Sequence, residues 1–299
     1  MSSVNRVGAT PFNAERPGGV RSRTVVAMAA TIDITDPDDP AVAEYRHLND
    51  QPIRREMERD EYFISEGWVS IDRLIDSSHR FRSALLSPSR VNRFLPFLER
   101  PELAGVPVYV AEREVMRKIV GFDLPRGVLV AADRKPLTPL ADLATTSRRL
   151  VVLEALNDDE NVGAIARAAR AFDIDGMVLS PTCTDPYHRR TVRVSMGEIL
   201  HVSTSRIERD DWPSAIDQLH DAGFETWAMT PAVDADALWD LTPPERFAIV
   251  VGAEGPGLTD EVMLKATRRV RIPISAAVDS LNVGHAASIA FAAATRGGR

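Results

Sequence analysis

Leu150-Val151-Val152-Leu153-Glu154-Ala155-Leu156-Asn157-Asp158-Asp159-Glu160-Asn161-Val162-Gly163-Ala164-Ile165-Ala166-Arg167 is the stretch that decides the fold. Its first seven residues, apolar except for Glu154, have the length and composition of a strand buried on both faces. From Val162 the period becomes helical: Val162, Ile165, Ala169 and Phe172 share one face, and Gly163, Arg167 and Arg170 lie away from it. Asn161 stands where an N-cap is expected, its side chain placed to accept from the free N–H groups of the first turn. The same order recurs to the end of the chain. Strands are expected over 150–156, 176–179, 200–203, 224–229, 247–251 and 269–274, and helices over 162–172, 191–198, 213–222, 260–267 and 281–294. Alternation of this kind implies an α/β domain with a mostly parallel sheet covered on both faces.

Upstream, Arg134-Lys135-Pro136-Leu137-Thr138-Pro139 breaks both periodicities with its prolines, so a linker is expected over 134–147, with the α/β domain at 148–299. Before it, 40–133 reads as a smaller α/β module, with strand-like segments near 62–67, 81–86, 107–110 and 127–132. Residues 1–39 mix Pro, Gly, Ser, Thr and Arg with few large apolar side chains, and a disordered tail is expected there. That tail lacks the continuous apolar core of a secretory signal, which favours the cytoplasm.

Composition bounds the class. A chain of 299 residues, 44% hydrophobic and 26% charged, suits two globular domains, and no apolar run approaches the roughly 18 residues that cross a bilayer. No membrane span is expected. The single cysteine, Cys183, excludes an internal disulfide and makes a cysteine-based metal site implausible; no metal is expected. With 36 basic against 43 acidic residues the net charge is −7, so any nucleic-acid reading must rest on local clusters. Four exist: Arg54-Arg55, Arg148-Arg149, His188-Arg189-Arg190 with Arg193, and Arg268-Arg269 with Arg271. Each is more often a solvated surface than a contact, but several fall in the larger domain.

Three segments carry chemistry, and all three fall in loops leaving the carboxyl ends of strands, where α/β sheets place ligands. The first is the loop that leads into Asn161 and Arg167. In the second, Val251-Gly252-Ala253-Glu254-Gly255-Pro256-Gly257-Leu258, the glycines allow close approach to the backbone and Glu254 stands between them. It matches neither the dinucleotide nor the P-loop fingerprint, so a nucleotide-dependent oxidoreductase is not supported. The third, Ile272-Pro273-Ile274 followed by Asp279-Ser280-Leu281-Asn282-Val283-Gly284, ends a strand and opens the last helix. Ser280 is the expected cap, and Asn282 offers its amide to a ligand.

Together these segments are similar to the SpoU, or TrmH, class of SPOUT RNA methyltransferases over nearly all of Arg149 to Ala294. Asn161-Val162-Gly163-Ala164-Ile165 with Arg167 resembles the family's first motif, Gly252-x-Glu254-x-x-Gly257-Leu258 its second, and Ile272-Pro273 with Ser280-Leu281-Asn282-Val283 its third. Glu61-Tyr62-Phe63-Ile64-Ser65-Glu66-Gly67 and Arg126-Gly127-Val128-Leu129 resemble, more weakly, a ribosomal-protein-like RNA-binding domain that many members carry. Ile274, Gly284 and Asp173 depart from the family's usual Met, Ser and Gly.

The resemblance implies a deep trefoil knot and S-adenosylmethionine as methyl donor, contacted by Gly252, Ile272 and Leu281. It implies a homodimer through the C-terminal domain, catalysis by Arg167, Glu254 and Asn282, and RNA contacts from Asn161, Arg189, Arg190 and Arg193. The implied activity is methylation of a ribose 2′-hydroxyl in structured RNA, ribosomal preferred over transfer RNA. The alternative is a non-catalytic RNA-binding protein that retains the fold.

Overall fold

A computed structural model describes residues 31–296. The first module is a five-stranded sheet in the order β1-β4-β3-β5-β2, built from β1 (Thr31–Ile34), β2 (Tyr62–Glu66), β3 (Phe81–Leu86), β4 (Val108–Ala111) and β5 (Val128–Asp133). β4 runs parallel to β1 and β3, and β5 runs antiparallel to β2 and β3. Around it lie α1 (Gln51–Glu58), α2 (Trp68–Asp76), the single turn α3 (Val91–Phe94) and α4 (Arg113–Val120).

The tail expected through Asp39 ends sooner. Residues 1–30 lie outside the described residues, but Thr31–Ile34 pairs in parallel with Val108–Ala111, and Ile34 is buried beside Val42 and Tyr45. Alternation over four residues is too short to register in sequence; the edge of β4 supplies the pairing. Asp39 then caps the 3-10 turn Pro40–Tyr45 by accepting from the Ala41 N–H. The expected linker is likewise only partly irregular. Leu140–Thr146 forms α5, whose Leu140, Leu143 and Ala144 are buried under the second sheet.

The larger module is a seven-stranded sheet, order β10-β12-β9-β11-β6-β7-β8, parallel throughout. Its strands are β6 (Arg149–Glu154), β7 (Gly176–Leu179), β8 (Ser203–Arg206), β9 (Glu225–Met229), β10 (Asp236–Ala237), β11 (Phe247–Gly252) and β12 (Arg268–Arg271). Its helices are α6 (Asp159–Ala171), α7 (Arg189–Val194), α8 (Ala215–Asp221), α9 (Asp260–Lys265) and α10 (Val283–Ala294). The strand expected over 200–203 falls three residues later. Ile199 and Val202, spaced as on one turn, bury from the 3-10 segment Glu198–His201, and small polar residues of β8 pair with β7. Asp173 has φ 53°, so the chain leaves α6 through a left-handed residue, which explains why glycine is usual there and aspartate is tolerated.

The two modules share a core. Phe63, Ile71 and Leu74 belong to the same buried cluster as Val162, Val192 and Ile199, and the Phe63 and Tyr187 rings lie 5.1 Å apart. Arg134 runs through the seam: it donates to Glu58 and Asp185, both at 2.6 Å, and to the Tyr62 carbonyl at 2.8 Å. Burial works to lower its pKa, but Asp185 and Glu58 more than offset this and hold it above the usual arginine value.

Candidate active site

The site forms where β11, β12 and α10 meet, at the carboxyl edge of the sheet. β11 ends at Gly252, and the following loop folds back so that Ala253 bridges Gly257. A Cβ on Gly252 would overlap the Gly257 carbonyl group, so only glycine permits this fold-back. The loop is anchored from below by Glu154, a carboxylate at the end of an apolar strand. It accepts from the Thr259 N–H at 2.8 Å, the Thr259 hydroxyl at 2.9 Å and Trp212 Nε1 at 3.2 Å. Glu154 is 3% exposed, and these donors satisfy a charge that burial would otherwise penalise.

Between this loop, Met229-Thr230 at the end of β9, and the segment between β12 and α10 lies a cavity of about 420 Å³. The size is in the ordinary range for small-molecule sites. Gly252, Ile272 and Leu281, the expected donor contacts, all line it, as do Glu254 and Asn282. An added Cβ at Gly257, another lining residue, would meet nothing within 4 Å, so a ligand can reach the backbone there. Apolar walls from Met229, Val251, Ile272 and Leu281 beside the polar Thr230, Glu254, Ser280 and Asn282 fit a molecule that carries both a base and an amino-acid moiety, as S-adenosylmethionine does.

At the cavity edge the first and third motifs meet the second. Asn282 Nδ2 donates to Glu254 Oε1 at 2.6 Å and to Asn161 Oδ1 at 2.9 Å. Its Oδ1 accepts from the Gly284 and His285 N–H groups at 3.0 and 3.3 Å. Asn282 rather than Ser280 is therefore the N-cap of α10, and the cap itself aims the amide at Glu254. The first motif is corrected in the same sense. Asp158 caps α6 by accepting from the Glu160 N–H, which places Asn161 in the first turn with its side chain free to reach across to Asn282. At Gly284 α10 passes close to α6: a Cβ there would sit 3.3 Å from that of Ala164.

Arg167 is exposed on α6. It neither lines the cavity nor joins the Asn161–Asn282–Glu254 set, and it has no ion-pair partner among the described residues. Of the expected RNA contacts, Arg189 is committed elsewhere. Its guanidinium pairs with Glu66, bonds Asn49 Oδ1 at 3.0 Å and faces the Phe122 ring, joining α7 to the first module. Burial lowers its pKa, opposed by Glu66. Arg190 makes an exposed pair with Glu160 at 2.5 Å, and Arg193 has no acidic partner among the described residues. In the Arg268, Arg269 and Arg271 cluster, Arg268 pairs with Glu225 and Arg269 with Asp234, while Arg271 donates to the Ala235 carbonyl.

Sequence reasoning missed four residues. Met229 ends β9 and Thr230 follows it, at the carboxyl end of a strand, a position that should have marked them. Glu154 carried the signal of a charge inside a buried strand. Asp159 is the fourth: 5% exposed, it accepts from Thr184 at 2.5 Å, His188 at 2.6 Å and Thr191 at 3.1 Å. Burial works to raise its pKa, but these hydrogen bonds win and hold the carboxyl below the usual aspartate value. The cluster pins the start of α6 to α7. Among the described residues no group of three or more His, Cys, Asp or Glu could hold a metal ion, and no helix is long and apolar enough to cross a membrane.

Residues 148–292 match the family model described as the SpoU rRNA Methylase family. A tRNA/rRNA methyltransferase of Mycobacterium tuberculosis, itself uncharacterized, is 41% identical over 272 residues, 89% of this chain and 92% of that relative. A 23S rRNA (guanosine(2553)-2′-O)-methyltransferase of Bacillus subtilis is 27% identical over 220 residues, 72% of this chain and 85% of that protein. The crystal structure of an AdoMet-bound rRNA methyltransferase from Sinorhizobium meliloti superposes with a TM-score of 0.74 at 25% identity, covering 89% of this chain and 98% of that one.

Proposed function

The chain belongs to the SpoU rRNA Methylase family of S-adenosylmethionine-dependent RNA methyltransferases, and on that premise we propose that it methylates a ribose 2′-hydroxyl of structured RNA, ribosomal RNA in preference to transfer RNA. The observation that carries this reading is the Asn282 amide, which holds Glu254 and Asn161 together at the edge of the cavity. The Bacillus subtilis relative, named as a 2′-O-methyltransferase of 23S rRNA, supports both the ribose and the ribosomal target.

Bound S-adenosylmethionine supplies an electrophilic methyl group on a sulfonium centre. Gly252, Ile272 and Leu281 would hold it in the cavity. A ribose hydroxyl is a weak nucleophile, so the protein must hold it in line and draw off its proton as the C–S bond breaks and the C–O bond forms. Glu254 suits the role of base, being exposed at the cavity edge, where Asn282 orients its Oε1 while leaving Oε2 open to a hydroxyl. Arg167 does not suit a base, because a guanidinium stays protonated. Exposed on α6 and without an ion-pair partner among the described residues, it suits a phosphate or the target nucleotide. The proposal includes the deep trefoil knot of the family, a homodimer through the C-terminal domain, RNA contact by the first module, and action in the cytoplasm.

Incubation with S-adenosylmethionine and either ribosomal or transfer RNA, followed by nucleoside mass spectrometry, tests the reading. A 2′-O-methylated nucleoside from ribosomal RNA is expected. A methylated base would overturn the ribose target, and no product from either RNA would favour an RNA-binding protein without chemistry. Glu254→Gln and Arg167→Ala should each bind the donor normally and slow transfer by about a hundredfold or more. As a surface change, Arg167→Ala should leave stability within about 0.5 kcal/mol of the parent.

A further inference from the structure

The first module and α7 meet along a seam rich in arginine. Arg189 of α7 reaches Glu66 at the end of β2. Beside it, Arg126 lies across Gly67, its Nη1 only 2.6 Å from where a Cβ would stand, and Arg90 lies over Gly127 at the start of β5. Arg93 places its guanidinium 4.2 Å from the centroid of the Trp68 ring. Arg193 follows Arg189 by one turn of α7.

This grouping contrasts with the arginines of β12. The chain is acidic overall, with 43 carboxylate residues against 36 basic ones, and on β12 Arg268 and Arg269 pair with Glu225 and Asp234. Here Arg90, Arg93, Arg126 and Arg193 have no acidic partner and donate no side-chain hydrogen bond among the described residues. Four buried donors of the seam, Arg90 Nε, Arg189 Nε, Arg193 Nε and Trp68 Nε1, lack an acceptor among the described residues. Like charges left together with unsatisfied donors destabilise a fold unless a partner brings acceptors and negative charge.

We propose that this seam is a track for a single-stranded RNA segment, with Arg90, Arg126 and Arg193 on successive phosphates and the Trp68–Arg93 pair as a platform on which a base stacks. The track leads to the chemistry. Arg190, next to the seam on α7, pairs with Glu160, and Glu160 adjoins Asn161 of the Asn161–Asn282–Glu254 set. Phosphate oxygens are acceptors only, which matches guanidinium groups, which only donate. Stacking on an aromatic face suits unpaired bases and is tolerant of sequence. The track rests on the methyl-transfer reading for its direction, from the first module toward Glu254, but it is read out by binding alone.

The double variant Arg93→Glu/Arg126→Glu changes two exposed side chains that no acid holds, so folding should be unaffected. Fluorescence anisotropy with a labelled, mixed-sequence single-stranded RNA of about 20 nucleotides would be measured across a salt series. The expected result is a loss of affinity of at least tenfold and a shallower salt dependence, with the melting temperature and S-adenosylmethionine binding of the parent. A matched control, Arg55→Glu/Arg209→Glu, reverses two exposed arginines that lie outside the seam and likewise have no acidic partner among the described residues. Equal losses in both variants, or parent-like binding by Arg93→Glu/Arg126→Glu, would overturn the track. Failure of the parent to bind the probe would do the same. Absence of methyl transfer with the track intact would overturn the reaction instead.

Discussion

At the residue scale, the cavity beside β11 depends on a position where a side chain cannot exist. Gly252 packs so closely on the Gly257 carbonyl that Gly252→Ala must open the loop. S-adenosylmethionine binding, followed by calorimetric titration, should weaken at least tenfold while the melting temperature falls only modestly, because the cavity lies at the edge of the core. Unchanged affinity would show that the fold-back of this loop does not shape the donor site. Glycine, glutamate and asparagine at these positions are readable in the sequence. That Asn282 uses both ends of its amide, one to cap and one to clamp, is not readable, since Glu254 and Asn161 lie 28 and 121 residues away in the chain.

At the scale of the element, a single cap joins the start of α10 to Glu254 and Asn161. Asn282→Ala should cost about 1 kcal/mol in stability, the usual worth of an N-cap, and also lower transfer. Asn282→Asp keeps an oxygen for the Gly284 and His285 N–H groups but replaces the donor facing Glu254 with a carboxylate. Its melting temperature should stay near that of the parent while transfer falls at least tenfold; normal transfer would release Glu254 from its dependence on Asn282. Helix and strand cores at this scale were legible from periodicity, while starts were displaced. The caps fell on Asp158 and Asn282 because competing polar residues stood within three positions of the expected ones, and only backbone geometry chooses between them.

At the scale of the whole molecule, the two modules form one buried cluster, pinned by Arg134 between Glu58 and Asp185 and by Arg189 on Glu66. A fragment spanning 148–299 would leave Tyr187 and Val192 without the face of Phe63 and Ile71 that covers them. Large exposed apolar patches drive association. The fragment should therefore melt well below the full chain and aggregate at micromolar concentration, although every motif for the methyl donor lies within it; sedimentation and thermal unfolding would check this. A soluble fragment with the melting temperature of the full chain would show the modules to be independent.

The sequence by itself determined the parallel α/β module, because long apolar strands alternating with amphipathic helices have few other ways to bury their faces. It also determined the loops that line the cavity, because glycines and polar residues cluster there directly after apolar strands. The first strand at Thr31–Ile34, the fate of Arg189 and the unpaired arginines at the module seam were decided only by tertiary structure. An edge strand of four residues takes its partner from a distant segment. Whether an arginine is a strut or a free cation depends on which carboxylate the folded chain brings within reach, and Glu66 stands 123 residues from Arg189.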